Sequence, residues 1–130
     1  MSDTLPDSLA FYRIDAETCE SLRSIWPSIA KAMGPILDKM YAHIAARPSL
    51  KRLFTNNEVT ARARLAQQQH WQRLFSGRFD ADYAASVRRI AVTHARIGLE
   101  PSFYIGSYLL ALEEMQVLLA ANLGQGLDKT

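Results

Sequence analysis

Between Asp15 and Leu123 the apolar residues recur at three- and four-residue intervals, with no alternating stretch. That spacing gives a helix one buried stripe, whereas a half-buried strand needs strict alternation. The chain is therefore read as all-α. Local punctuation divides it. Asp7 and Ser8 precede a short turn over about 8–13, and Asp15 caps a helix bearing Leu22 and Ile25 that is expected to stop before Pro27. A longer helix follows from about Pro27 to Ala46, kinked near its start by Gly34-Pro35, since proline lacks an N–H and its ring strikes the preceding turn. Pro48 opens the short turn PSLKRLF, and Thr55-Asn56-Asn57-Glu58 has the spacing of a capping box that starts a helix to about Phe75. Ser76-Gly77 ends it, Asp80 begins the next and Gly98 ends that one. Pro101 fits the first turn of a last helix reaching about Leu123. The predicted architecture is one long kinked helix with three others packed around it.

Composition narrows what such a bundle does. At 130 residues, 48% hydrophobic and 22% charged, the chain fits a single globular domain, with residues 1–10 as an N-terminal extension. Its net charge of +2, from 15 basic and 13 acidic side chains, lacks any block of like charge and gives nucleic-acid binding little support. Cys19 is the only cysteine, so an internal disulfide and a cysteine zinc site are excluded and a reducing cytoplasm is expected. MSDTLPDSLA lacks the basic and apolar regions of a secretory signal. The apolar stretch 103–123 contains Glu113 and Glu114 and is expected to fall short of a membrane span.

His94 is the residue these observations leave unexplained. At 100° per residue it shares a face with Tyr83, Val87, Ile90, Ala91, Ile97 and Gly98, while Arg88, Arg89 and Arg96 point away. One reading is a packed histidine with both nitrogens satisfied. The other starts from the helix end four residues later and the tyrosines 104 and 108 just beyond it, which set the imidazole between elements. One protein ligand cannot hold a bare zinc or iron ion. It suffices for haem iron, because the porphyrin supplies four nitrogens. Tyr41 then offers a phenol from the apolar row Gly34, Leu37, Ile44 and Ala45, either as a core tyrosine or as a hydrogen-bond donor to dioxygen.

The segments MYAHIAARPSLKRLF, QQQHWQRLFSGRFDADY and IAVTHARIGLEPSFYIGSY resemble the globin domain of bacterial globin-coupled sensors, haem proteins related to protoglobins. The resemblance covers about residues 11–120. It implies a globin fold of the globin-coupled sensor type carrying haem b, with His94 as the proximal iron ligand and Tyr41, 53 residues earlier, as the distal tyrosine. It also implies that Phe54 packs on the haem, that Tyr104 lies near His94, and that Leu65, Ala66 and Ile97 line the cofactor site. Met40 stands where the family usually has phenylalanine. The final globin helix is expected to begin near Thr130, so the chain reads as a sensor domain cut from a longer protein.

The remaining polar residues take plainer readings. His70 lies on an inner stripe with Val59, Ala63, Ala66 and Leu74 and reads as a packed polar residue rather than a sixth iron ligand. His43, about 160° from Tyr41, belongs to the surface. Arg62, Arg64, Arg73 and Arg78 form a solvated face, one of them in reach of a haem propionate. The function implied is regulatory rather than catalytic: O2, and also CO and NO, bind at the haem, and a C-terminal output domain such as a diguanylate cyclase or chemotaxis transducer receives the signal. A homodimer is expected through the last helix, on the stripe Ser107, Leu110, Leu118 and Asn122 with Met115, Leu119 and Leu123. A globin enzyme consuming O2 or NO needs an electron source, and no flavin or nicotinamide fingerprint is present. A haem-free interaction module with the same fold is the third class.

Overall fold

The computed structural model describes residues 5–128, with side chains through Asn122. Six helices follow one another: α1 (Leu5–Phe11), α2 (Ala16–Ala45), α3 (Pro48–Lys51), α4 (Asn57–Phe75), α5 (Ala81–Arg96) and α6 (Pro101–Asp128). The first spans earlier residues than expected, with Pro6 in its opening turn, where a missing N–H costs nothing. Side-chain caps start three of the others. Asp15 accepts from the Thr18 amide at 2.9 Å, Asn56 from Val59 at 2.9 Å and Asp80 from Tyr83 at 3.0 Å. The cap of α4 is thus Asn56, one residue after the Thr55 that the capping-box spacing suggested.

The largest departure from expectation is α2, which runs unbroken through both Pro27 and Pro35. Each proline withholds a hydrogen bond from the carbonyl four residues back, those of Arg23 and Lys31. Both prolines and both of those residues are at exposed positions, where water takes the place of the lost donor. Packing of the opposite face holds the helix together across the two gaps. Ile29, Met33, Ile36, Leu37 and Met40 recur at helical spacing and are buried against Trp71 and Phe75 of α4 and Ala111 and Met115 of α6. Trp71 stacks on Tyr108 with ring centroids 4.4 Å apart, and Trp26 on Phe75 at 5.6 Å. Two ion pairs clamp α2 from outside: Lys39 to Glu114 at 2.9 Å, and Arg64 to Asp38, with the Arg64 guanidinium also donating to the Gly34 carbonyl at 2.9 Å.

The last helix corrects two expectations. Pro101–Asn122, with a mean hydropathy of 1.2, is long and apolar enough by length and composition to cross a membrane, although Glu113 and Glu114 lie within it. Here one side of it packs on the core, with Ala111 and Met115 buried against α2, while most of the helix is not buried. The stripe expected to face a second subunit faces the same way: Leu110, Leu118 and Leu119 all pack on the core. Ser107 donates to the Phe103 carbonyl at 2.9 Å, Asn122 is exposed, and the side chain of Leu123 lies outside the described residues. A helix of this composition has more than one apolar face, so periodicity alone does not select the inner one.

Candidate functional site

α5 is attached differently from the other long helices. Its only buried residue is Ser86, and the face it turns inward borders a cavity of about 950 Å³ walled by α2, α4, α5 and α6. That volume lies at the upper end of the range of about 300–1,000 Å³ typical of small-molecule sites. Its walls are mostly aliphatic and aromatic, and no aspartate or glutamate is among the described residues that line it.

His94 lines this cavity from the last turn of α5. Gly98, at φ 72°, ends the helix just beyond it. The imidazole stacks on Tyr104 of α6, centroids 4.8 Å apart and planes 23° from parallel. Burial pulls its pKa below the usual histidine value, so the ring is neutral and a nitrogen lone pair is available. Tyr41 lines the cavity from α2, with its ring edge-on to Phe54 at 5.7 Å. Burial pushes its hydroxyl up to about 12, against the opposing influence of Arg64, so the phenol keeps its proton and can donate it.

Ala66, Ile97, Phe54 and Tyr104 also line the cavity, whereas Leu65 does not. Leu65 is 54% exposed. The inner stripe of α4 is Val59, Ala63, Ala66, Gln67 and His70, at intervals of three and four, and Leu65 is 100° off its neighbour Ala66. Gln67 and Phe103 belong to the lining but were not singled out from the sequence, whereas Tyr83 lines it on the face that helical spacing shares with His94. The stripe through Ala63 and Ala66 carries the signal that finds Gln67.

His70 is the packed polar residue its position suggested, 8% exposed, with Nε2 3.1 Å from the Tyr108 hydroxyl. Burial, aided by the Arg73 charge, lowers its pKa, and burial raises that of Tyr108. The neutral pair therefore shares one hydrogen bond. Its other nitrogen, Nδ1, and the Gln67 carbonyl oxygen are buried with no protein partner, on residues that border the cavity. Of the arginines read as a solvated face, Arg64 is engaged with α2, and Arg62 and Arg78 do not line the cavity. Arg73 does, while donating to the Ser86 hydroxyl at 2.9 Å. His43 is exposed.

No group of three or more His, Cys, Asp or Glu side chains among the described residues could hold a metal ion by itself. A single imidazole on an apolar wall, faced by a phenol, suits a metal that arrives with most of its ligands. The fold and this site define a helical domain with a cavity sized for a small-molecule ligand. The chain belongs to the protoglobin family, whose model matches residues 2–129, and its all-helical architecture is that of a globin. It is also 29% identical over 101 residues to the heme-based aerotactic transducer HemAT of Halobacterium salinarum. That match takes in 77% of this chain and 21% of the relative, so the chain spans about a fifth of that transducer's length.

Proposed function

We propose that this chain is a haem-bearing gas-sensing domain, with His94 as the axial ligand and Tyr41 as the donor that recognises the bound gas. The observation that carries the reading is the pairing of a neutral imidazole and a protonated phenol on one acid-free apolar cavity, in a chain of the protoglobin family. When bound, haem supplies an iron centre able to take O2, CO or NO. The chain's own residues do the rest. His94 would hold the iron, and its ring is kept in place by stacking on Tyr104. Tyr41, steadied by Phe54, offers a hydrogen bond to a diatomic ligand that carries partial negative charge. The role is regulatory, in the cytoplasm, and the much longer aerotactic relative suggests that a transducing segment receives the signal.

Replacing Tyr41 with phenylalanine tests this. A charge-assisted hydrogen bond is worth about 1.5–3 kcal/mol, so O2 should dissociate roughly 10- to 100-fold faster, with CO much less affected. Stopped-flow dissociation rates decide it, and equal acceleration of both gases would remove Tyr41 from the role. A homodimer through α6 fits the same reading, but on a different face from the buried one. Val117 is 63% exposed, lies off the cavity lining and leaves apolar area for a partner subunit, whereas the exposed Leu109 borders the cavity. Sedimentation should show a dimer that Val117→Glu weakens. A monomer at all concentrations would refute it.

A further inference from the structure

Arg73 of α4 and Arg89 of α5 are the only charged side chains among the described residues that line the cavity; helical spacing alone set Arg89 away from the His94 face, and the structure brings it to the same cavity. Neither makes an ion pair: the salt bridges in the described structure are Lys39–Glu114 and Arg64–Asp38. Arg73 spends one N–H on Ser86, and among the described residues Arg89 has no hydrogen-bond or ring partner. The bond to Ser86 also places them together, since Arg89 follows Ser86 by three residues, one turn of α5. Two exposed arginines bordering an apolar cavity, one bonded to Ser86 and the other a turn beyond that serine on α5, fit a ligand that is apolar in its body and carries two carboxylates at one edge.

Resting on the reading above, we propose that Arg73 and Arg89 bind the two propionates of the haem, and so fix which edge of the cofactor faces outward. Arg62 within α4 and Arg78 just after it, equally basic, have no such part because they do not line the cavity. An open rim sets the scale. Exposed ion pairs contribute about 0.2–1 kcal/mol, so losing one guanidinium should speed cofactor loss by up to about fivefold, and losing both by roughly tenfold.

The experiment follows haem transfer from the loaded protein to excess apomyoglobin by absorbance. Arg73→Gln and Arg89→Gln should each release haem faster, the double variant faster still, and Arg73→Lys and Arg89→Lys should recover most of the loss. Arg62→Gln and Arg78→Gln should match the parent. A second arm loads the dimethyl ester of haem, whose propionates carry no charge. It should leave the parent protein at the rate of the double variant and be indifferent to both substitutions. Haem loss at the parental rate from the double variant, or an ester that responds to the arginines as haem does, overturns the assignment while leaving the haem reading intact. Absence of a Soret band in the parent protein overturns both. Arg89→Gln keeps the test sound if Arg73 variants misfold, because Arg89 has no hydrogen bond, ion pair or ring contact among the described residues.

Discussion

Two helices in this molecule end in the same way and in opposite surroundings. Gly77 closes α4 at φ 69° and Gly98 closes α5 at φ 72°, each two residues past its last helical residue. A Cβ at Gly77 would come within 2.7 Å of the Cys19 carbonyl oxygen and of the Arg23 guanidinium, whereas one at Gly98 would meet nothing within 4 Å. The first glycine is required by conformation and by the close approach of α2. The second is required by conformation alone. The contrast extends to the halves of the molecule they close. One is packed around Trp71, Ile29, Met33 and Leu37, and the other borders a cavity and contributes a single buried serine from its helix. Buried packing is concentrated in the first half and the cavity in the second.

Substitutions that strike the two halves should therefore separate. Trp71→Ala removes the largest fully buried side chain and should cost about 3–5 kcal/mol, read as a fall in the urea midpoint. Gly77→Ala combines left-handed strain of about 1–2 kcal/mol with an overpacking cost of about 1–3 kcal/mol. Gly98→Ala should carry only the strain, about 1–2 kcal/mol. Equal costs at the two glycines would dissolve the contrast. At the small end, His94→Ala should leave the unliganded chain within about 1 kcal/mol of the parent while abolishing stable haem binding. A large loss of stability in the cofactor-free variant would make His94 a packing residue first.

How much of this was legible in the sequence depends on what each residue answers to. The helix starts at Asp80 and Pro101 and the ends at Gly77 and Gly98 are set by local geometry, and they read correctly from residue type. The run of α2 through Pro27 did not, because its continuity depends on burial of Ile29, Met33 and their neighbours, a tertiary effect that overrides a local rule. His94, Tyr41, Phe54 and Tyr104 could be placed near one another because the motifs around them resemble those of a family. Leu65 could not be resolved from Ala66 by resemblance, since adjacent residues on a helix face walls 100° apart. The inward face of α6 failed for a related reason: Leu109 and Leu110 are chemically alike, and only the position of α2 makes one exposed and the other part of the core.

The sparse attachment of α5 bears on how such a domain reports. A helix holding one buried residue opens at a free energy well below that of the global transition, so its amides exchange through local excursions that spare α2, α4 and α6. The histidine rides on that helix. Ligand-dependent changes in hydrogen-exchange protection then belong to α5 and the turn to Tyr104, and they occur without melting the packed half. A conformational signal confined to one lightly held element leaves the rest of the fold free to serve as its fixed reference.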